Sequence, residues 1–405
     1  MSRIFRIGLF MQGGSHWAGG SEYIKNIIFA LASLPSEERT KFEICLLQDG
    51  SIENEFKEQI EPYVSKIYNL KTDLAPLTFQ NRVKWKLIKT FRKQIDPRFK
   101  DFIEKEKFNF LYPYTSPNSS FTHCHSAAWI FDFQHKYLPQ FFTQSEINQR
   151  DKSFAEIAQN SSTVVLSSKN AESDFHKFFP RFANKTKVLS FKSTLPSSWY
   201  DEDWNKVQKQ YCLPERFFII SNQFWQHKNH LIVFQALEIL RERAIYPIIV
   251  CTGHIYDYRK PSYCDEILQS IHKRGIANQV YLLGLIPKLE QFQLMRRSLA
   301  VIQPSLFEGW STVVEEAKCL GKQIILSDLP VHIEQNPLYC IFFERYSAAN
   351  LADIMADLWK NIISVPNLQL EESGRQNNIC EVQEFARNFL KIAMSNSPLK
   401  SKMPE

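Results

Sequence analysis

The feature that most constrains this 405-residue chain is an alternation of short apolar runs with amphipathic helical patterns, which occurs in two series. The first series contains the runs FRIGLFM (5–11), FEICLLQ (42–48), FNFLYPY (108–114), AAWIFDF (127–133), TVVLSS (163–168) and KVLSF (187–191). The second contains FFIIS (217–221), IIVCTG (248–253), VYLLG (280–284), AVIQPS (300–305) and QIILSD (323–328). Strands that are joined through helices pair in parallel, so the sequence predicts an α/β protein.

The two series are separated by a polar segment, STLPSSWYDEDWNKVQKQYCLP (193–214), which interrupts the pattern. A chain of this length is expected to form two domains of roughly 200 residues each. We therefore predict two doubly wound domains, an N-terminal one over 1–192 and a C-terminal one over 193–375. Within the first domain, helices are predicted at Ser21–Leu34 and Gln144–Gln159.

A last helix, at about 376–397, is predicted because apolar residues recur at helical spacing. The predicted apolar face consists of Ile379, Val382, Phe385, Ala386, Phe389 and Ala393. The helix follows a polar stretch, EESGRQNN (371–378), and could pack on either domain, including back on the N-terminal one.

The composition excludes several other classes of protein. A net charge of +6 is modest and does not by itself indicate a nucleic-acid partner. Eight scattered cysteines without a Cys-x-x-Cys pair favour reduced thiols in a cytoplasmic protein over a disulfide framework or a zinc site. No apolar run approaches the roughly 18 residues that cross a membrane. The short strand at the N-terminus, MSRIFRIGLFM, is followed by glycines and is shorter than the apolar region expected of a signal peptide.

Ligands of doubly wound sheets bind beyond the carboxyl ends of the strands, so the loops there are the candidate sites. The first loop, QGGSHWAGGS (12–21), concentrates Gly13, Gly14, Gly19 and Gly20 between a strand and a helix. Glycines there allow a backbone to approach a ligand closely, and a helix N-terminus favours an anion. The spacing is not that of a dinucleotide fingerprint, and a flexible turn is the structural alternative.

The second loop, SNQFWQHKNH (221–230), places Lys228 directly before a helical pattern, with Asn229 as a candidate N-cap. A lysine at such a turn can neutralise phosphate oxygens, and Asn222 and Gln223 could add neutral donors. The alternative is a solvated surface lysine. The apolar strand that leads directly into the loop favours the binding role.

The third loop lies within PSLFEGWSTVVEE (304–316), where three glutamates surround a helix start. We interpret Thr312-x-x-Glu315 as a capping box that opens a helix over 313–321, which gives Glu315 a structural role. Glu308 and Glu316 then flank backbone amides, 309–313, at the positive end of the helix dipole. Carboxylates beside an anion site are compatible with it when they accept hydrogen bonds from sugar hydroxyls. The loop therefore favours a nucleotide diphosphate sugar, against the alternative of two solvated glutamates.

The spacing Glu308-(x7)-Glu316, preceded by an apolar strand and PS-x-F, resembles the signature of family 4 retaining glycosyltransferases of the GT-B fold. The resemblance is strong over 217–335 and continuous but weaker over 1–192. It implies two Rossmann-like domains facing a cleft, with the acceptor on the N-terminal domain and a nucleotide sugar on the C-terminal domain. The implied activity is transfer of a hexose from a UDP- or GDP-sugar, with retained configuration and without metal or cofactor. The implied role is cell-surface polysaccharide biosynthesis, with a glycan or lipid-linked acceptor.

The resemblance also implies roles for individual residues. Glu308 would contact the transferred sugar and Glu316 the ribose, with Lys228 and the amides stabilising the departing diphosphate. The remaining implied donor-site residues are Gly309, Trp310, Ser311 and Thr312 for sugar and phosphates, Leu285 and Ile286 for the base, and Gly19 and Gly20 for phosphates and acceptor. The family pairs an arginine with a lysine five residues later, but this chain has Gln223 at the arginine position.

In the segment WIFDFQHKYLPQFF (129–142), Asp132 matches the aspartate of the family's His-Asp pair near the reaction centre. Phe131 occupies the histidine position. His135, three residues after Asp132, is therefore a candidate for that catalytic role. The alternative is a surface histidine that caps a helix.

Residues 82–100, RVKWKLIKTFRKQIDPRFK, carry eight basic residues and one acid, with apolar residues at helical spacing. This pattern is compatible with a helix on an anionic membrane or at a lipid-linked acceptor, at the inner face of the membrane. It is equally compatible with an amphipathic helix that packs on its own domain.

Two other functions share this architecture. A nucleotide-sugar epimerase of the GT-B fold would need no acceptor, and a catalytically silent protein would bind the nucleotide sugar only. No sequence feature favours the first. The second would gain support if loss of Glu308 and Lys228 left the cellular role intact.

Overall fold

The computed structural model describes residues 4–13, 18–50, 54–74, 96–115, 121–362 and 366–395. The predicted basic helix lies for the most part outside these ranges, since 82–95 are not among them. Its last residues belong to a helix that begins at Pro97, where Asp96 caps the first turn and Phe99 is buried.

The described residues of the N-terminal half form the strands β1 (Phe5–Phe10), β2 (Phe42–Gln48), β3 (Lys66–Asn69), β4 (Phe110–Tyr112), β5 (His125–Ser126), β6 (Ala128–Ile130), β7 (Val164–Leu166) and β8 (Thr186–Val188). Its helices are α1 (Ala18–Ala32), α2 (Ser36–Arg39), α3 (Asn54–Ile60), α4 (Leu70–Asp73), α5 (Pro97–Lys105), α6 (Gln134–Tyr137), α7 (Gln144–Asn160) and α8 (Lys169–Phe178).

The N-terminal strands form two parallel ladders with the orders β3-β2-β1-β4-β5 and β6-β7-β8. One extended segment joins them, because His125–Ser126 pairs with β4 while Ala128–Ile130 pairs with β7. The direction of strand succession reverses between β1 and β4. At such a switch point the loops diverge to opposite faces and leave a crevice.

The C-terminal half contains β9 (Phe218–Ser221), β10 (Ile249–Thr252), β11 (Val280–Gly284), β12 (Val301–Gln303), β13 (Ile324–Ser327) and β14 (Cys340–Phe343). Its helices are α9 (Trp204–Gln210), α10 (His230–Glu242), α11 (Tyr263–Lys273), α12 (Lys288–Arg297), α13 (Thr312–Cys319), α14 (Pro330–Gln335), α15 (Ala348–Asn361) and α16 (Leu368–Met394). The sheet is parallel with the order β11-β10-β9-β12-β13-β14, the arrangement of a Rossmann fold. Its switch point lies between β9 and β12.

The 27-residue helix α16 connects the two halves of the molecule. At its start Glu371 forms a bidentate ion pair with Arg296, at 2.8 Å for both contacts, and both side chains are buried. Gly321 and Gly374 permit this packing, because a Cβ at Gly321 would lie 2.1 Å from the carbonyl oxygen of Leu370, and one at Gly374 2.5 Å from the nitrogen of Gly321.

The second half of α16 packs into the core of the N-terminal sheet. Its buried residues there are Val382, Phe385, Ala386, Phe389, Leu390, Ile392 and Ala393. The Phe389 ring lies against the rings of Phe110 and Tyr112, with centroids 6.0 and 5.4 Å apart. The chain therefore returns to its first domain after completing the second.

Several elements differ from the sequence predictions. The polar stretch 371–378 is helical, because Glu371 is neutralised by Arg296 and Gly374 allows close packing. Ile379 is 46% exposed, so the apolar face begins at Val382. Strands β3 and β14 were not predicted, since KIYN and CIFF are short runs that lack a clear period.

Phe389→Ala should destabilise the protein strongly. The substitution leaves a cavity where α16 meets the N-terminal sheet, and such changes cost about 3–5 kcal/mol. Urea unfolding monitored by circular dichroism measures the shift. Ile379→Ala in the same helix is the matched control and should stay within about 0.5 kcal/mol of wild type, because its side chain is half exposed. Equal urea midpoints for Phe389→Ala and Ile379→Ala would contradict the packing of Phe389 against the N-terminal sheet.

Candidate functional site

A cavity of about 540 Å³ lies between the two halves, at the carboxyl ends of the central strands. The C-terminal sheet contributes the loops after β9, β10 and β12, which are the loops around its switch point. The N-terminal side contributes Gly19 at the start of α1, the segment after β6, and α7. The strand topology thus brings together loops that are far apart in sequence.

Glu308 lines this cavity, on the loop after β12. Its Oε1 accepts hydrogen bonds from Lys228 Nζ at 2.6 Å, Ser305 Oγ at 2.7 Å and Gln303 Nε2 at 2.9 Å. The side chain is only 9% exposed, so the ion pair with Lys228 is largely shielded from water. These contacts orient one oxygen towards the protein and hold the carboxylate in place. The structure therefore brings together two residues that the sequence placed 80 positions apart.

The helix start after Glu308 differs from the predicted capping box. Ser311, not Thr312, is the N-cap of α13, and its side chain accepts a hydrogen bond from Val314 N. Glu315 is fully buried and its carboxylate accepts from Gln335 Nε2 at 2.9 Å, with Lys192 at 3.4 Å. The prediction that Thr312 and Glu315 form a capping box is wrong, because the Glu315 side chain points to α14 and the linker.

Gln335 holds the backbone of this loop from the other side. Its Oε1 accepts from Ser311 N at 3.2 Å, and its Nε2 donates to Ser311 O at 3.1 Å. The amides at the start of α13 are thus fixed by a side chain from α14. Sequence reasoning did not single out Gln335, since a lone glutamine carries no motif.

Glu316 lies one turn along α13 and faces a second cavity of about 450 Å³. Its carboxylate is 3% exposed and accepts from Lys288 Nζ at 2.5 Å and Gln291 Nε2 at 3.4 Å. The facing wall is the side of α1 that carries Glu22 and Asn26. The two cavities therefore follow one another along the facing helices α1 and α13, with Glu308 in one and Glu316 in the next.

The loop after β9 carries the other predicted donor-site residues. Asn222 is buried and donates from Nδ2 to Gln303 Oε1 at 2.8 Å, so it supports the network around Glu308. Gln223 and Lys228 line the first cavity. Asn229 does occupy the N-cap position of α10, but in a left-handed conformation (φ 55°) and without a capping hydrogen bond from its side chain.

Gly309 lies where the backbones of the two halves come into contact. A Cβ at this position would lie 2.0 Å from the carbonyl oxygen of Phe131 and 3.1 Å from Asp132 Cβ. The neighbouring Trp310 donates from Nε1 to Phe191 O at 2.9 Å. The loop after β12 is therefore pressed against the end of β6, and glycine is required at the contact.

On the N-terminal side, Asp132 lines the cavity and accepts from Arg150 at 2.9 Å and Gln134 N at 3.0 Å. Phe131 lines the cavity beside it. His135 does not: it is 1% exposed, and its Nε2 pairs with Asp151 Oδ1 at 2.8 Å. The geometry thus gives His135 a structural partner on α7 and no contact with the cavity.

The remaining predicted residues lie at the edges of the site. Gly19 faces the first cavity, and Gly20 is buried behind it. Leu285, directly after β11, is 76% exposed, whereas Ile286 is buried in the core of the C-terminal sheet.

Two arginines in the cavity were missed by sequence reasoning. Arg150 comes from α7 and Arg259 from the loop after β10. Neither lies in a motif, and only the pairing of β9 with β10 brings Arg259 beside Lys228.

Buried histidines surround the site. Burial lowers the pKa of His230 to about 3, and that of His332 to about 4. His227 lines the cavity, and its pKa is well below the ordinary value because of burial and then the charges of Lys228, Arg259 and Arg150. The imidazoles are therefore neutral at pH 7, and the site owes its positive charge to lysine and arginine.

Within the described ranges, no group of three or more His, Cys, Asp or Glu side chains is placed to hold a metal ion. None of the helices described is both long and apolar enough to cross a membrane. All eight cysteines carry free thiols.

Comparison with known proteins agrees with this geometry. Residues 203–375 match the sequence model of the family described as glycosyl transferases group 1. The putative glycosyltransferase EpsF of Bacillus subtilis is 29% identical over 106 residues, which is 26% of this chain and 26% of that protein. The O-antigen biosynthesis glycosyltransferase WclY of Escherichia coli is 22% identical over 200 residues, 49% of this chain and 52% of that protein. The chain thus matches about a quarter and about half the length of these curated relatives.

The solved structures extend the similarity over almost the whole chain. HepE of Anabaena, crystallised with UDP and glucose, superimposes with a TM-score of 0.63 at 16% identity, covering 96% of this chain and 100% of that one. The predicted fold, GT-B with two Rossmann-like domains, is therefore confirmed. The comparisons support the group 1 superfamily, which is broader than family 4.

His230→Phe should reduce the dependence of stability on pH. His230 stacks on Phe224 at 4.2 Å, and neither ring nitrogen has a hydrogen-bond partner among the described residues. Its folded pKa lies below the ordinary 6.5, so its contribution is fully present above pH 6.5 and is lost as pH falls towards 3. Between pH 6.5 and 5 the wild-type protein should lose about 2 kcal/mol of its free energy of unfolding through His230, and the variant should not show this loss. Urea unfolding of both proteins at pH 7 and pH 5 tests this. The same change in free energy of unfolding between the two pH values in wild type and variant would contradict the prediction.

Gly309→Ala should destabilise the folded protein, in which the loop after β12 contacts the end of β6. The added methyl group must displace the Phe131 carbonyl, and overpacking of this kind costs about 1–3 kcal/mol. Gly50→Ala is the matched control, because among the described residues no atom beyond its chain neighbours lies within 4 Å of its Cβ position. Thermal unfolding of both variants measures the difference. Equal unfolding temperatures of Gly309→Ala and Gly50→Ala would show that the contact at position 309 has room for a side chain.

Proposed function

We propose that this protein is a glycosyltransferase of the retaining type that moves a hexose from a nucleotide diphosphate sugar to a glycan or lipid-linked acceptor. The observation that carries the proposal is the order of polar groups along α13. Glu308 precedes the helix, the backbone amides of the first turn follow, and Glu316 comes one turn later in the adjacent cavity. Sugar, diphosphate and ribose occur in the same order in a nucleotide sugar.

Each polar group of the site matches the chemistry of the part of the donor that it would contact. Glu308 would accept a hydrogen bond from a sugar hydroxyl through the oxygen that faces away from Lys228. The first amides of α13 and Lys228 would stabilise the diphosphate, since a helix N-terminus and a lysine both favour anions. Glu316 would accept from ribose hydroxyls in the second cavity. The UDP bound by the Anabaena structure makes UDP-sugars the first donors to test.

The N-terminal side would present the acceptor. Trp129 and Phe131 offer aromatic surface in the cavity, and Asp132 and Gln149 offer polar groups beside it. An acceptor hydroxyl oxygen would form the new bond to the anomeric carbon as the bond to the phosphate oxygen breaks. Its proton would pass to the departing diphosphate. The chain's own part in this step is electrostatic: Lys228 and the α13 amides stabilise the charge that develops on the leaving group.

The protein would act in the cytoplasm, in cell-surface polysaccharide biosynthesis. It would need neither a metal ion nor a cofactor. The two curated relatives favour this process, since one is named for O-antigen biosynthesis. Closure of the two domains around the donor would favour transfer over hydrolysis, because it would keep water from the reacting carbon.

Glu316→Gln and Glu308→Gln should separate donor binding from transfer. Calorimetry with UDP, GDP and ADP, and with their glucose or mannose conjugates, should identify a donor for the wild-type protein. Loss of a hydrogen bond to the ribose should weaken nucleotide binding to Glu316→Gln by about tenfold. Glu308→Gln should bind nucleotide normally but transfer sugar about a hundredfold more slowly, by analogy with other transition-state contacts.

Glu344→Gln provides the control, because Glu344 is an exposed glutamate of the same domain. It should behave as wild type in both assays. If no nucleotide or nucleotide sugar binds to the wild-type protein, the proposal is wrong. Release of an altered sugar without any acceptor would instead indicate an epimerase.

A further inference from the structure

The family resemblance implies an arginine five residues before Lys228, and this chain has Gln223 at that position. Lys228 itself is paired with Glu308 at 2.6 Å, so part of its charge is already neutralised. A diphosphate carries at least two negative charges, and bidentate guanidinium groups are well suited to it. The question is which residue of this chain supplies that group.

Arg259 lies in the right place. It follows β10, the strand that pairs with β9 along Ile249–Thr252, so its loop is the direct neighbour of the loop that carries Gln223 and Lys228. Gly253, at φ 129°, allows the two loops to touch, because a Cβ there would lie 2.2 Å from Asn222 O. Phe224 N also donates to His254 O at 3.0 Å.

The Arg259 side chain is held in one position. Asp257, a buried carboxylate, accepts from Arg259 N at 3.0 Å and from its Nε at 3.4 Å, and from Gln226 N at 3.3 Å. The guanidinium lies over the rings of Trp225 and Phe142, at 5.0 and 4.9 Å from their centroids. Its side chain is 6% exposed. A guanidinium fixed in this way loses little conformational entropy when it binds a ligand.

The two terminal nitrogens of Arg259 remain available. Within the described ranges its hydrogen bonds are those to Asp257 through N and Nε. Arg150, the other arginine of the cavity, instead donates from a terminal nitrogen to Asp132 at 2.9 Å. Arg150 comes from the N-terminal side, whereas Arg259 and Lys228 belong to the same sheet.

The Glu146 carboxylate is the main competitor for Arg259. Burial would raise its pKa, but hydrogen bonds from Thr143 N and Oγ1 and from Tyr258, with the charge of Arg259, hold the pKa below its ordinary value. Glu146 thus has its own donors at the capping box of α7. No ion pair within 4.0 Å joins Glu146 to Arg259 among the described residues.

We propose that Arg259 binds the diphosphate of the donor, in place of the arginine that Gln223 replaces. This inference rests on the proposed function, because it assumes that a nucleotide diphosphate occupies the cavity. Arg259 approaches from the loop after β10 and Lys228 from the loop after β9, so the two cations hold the diphosphate between adjacent loops. Arg259 is then a determinant of affinity for diphosphates over monophosphates.

The test compares nucleotide affinities of Arg259→Gln with those of wild type. Calorimetry uses UDP, GDP, ADP and the corresponding monophosphates. Loss of a charge-assisted contact should weaken binding of the preferred diphosphate by about tenfold to a hundredfold. Binding of the monophosphate should change by less than about threefold, so the preference for the diphosphate should fall. Arg243→Gln is the matched control, because Arg243 is exposed and pairs with Asp353 on the surface of the same domain.

Two further variants keep the test decisive. Arg259→Lys should retain most of the diphosphate preference, whereas Arg259→Met, which removes the charge but can still pack between the two rings, replaces Arg259→Gln if circular dichroism shows that the glutamine variant is unfolded. Gln223→Arg in the Arg259→Gln background should restore part of the lost affinity. Unchanged diphosphate affinity of folded Arg259→Gln, or equal weakening for both nucleotide classes, would overturn the inference but leave the proposed function intact. A wild-type protein that binds no nucleotide would overturn both.

Discussion

The arrangement of the whole site depends on one backbone contact, between Gly309 and the carbonyl of Phe131. Because no side chain fits there, the loop after β12 can lie directly against the end of β6. Trp310 then reaches the Phe191 carbonyl, and Glu308 lies in the same cavity as Asp132. The helix α16 supports the contact from behind, since it is anchored by Glu371 in one half and packs into the core of the other.

The cations of the two cavities are each paired with a carboxylate. In the first cavity Lys228 pairs with Glu308, Arg150 with Asp132 and Arg259 with Asp257, and in the second Lys288 pairs with Glu316. An unpaired charge in such a partly buried place would be costly, and each pair also fixes the direction of its side chains. A nucleotide sugar would satisfy both members of a pair, because its phosphates suit the cations and its hydroxyls suit the carboxylates.

The role of each glutamate could be predicted only in part. Glu308 and Glu316 were recognised because their spacing around a helix start is distinctive, and both lie in cavities. Glu315 was assigned a cap on local pattern alone, whereas its carboxylate contacts Gln335 and Lys192, which lie far away in sequence, as well as the nearby Lys318. His135 was chosen for its nearness to Asp132 in sequence, but on the short helix α6 its ring turns towards Asp151.

The sequence by itself determined the fold class and the three loops to inspect, because strand and helix periodicities and glycine positions are local properties. Only the tertiary structure decided which charges meet. Arg259 lies beside Lys228 because β10 pairs with β9, and Glu308 lies in the same cavity as Asp132 because Gly309 lets the loop after β12 contact the segment after β6. Strand order and the contacts between domains arise from packing over the whole chain, so no short segment of the sequence encodes them.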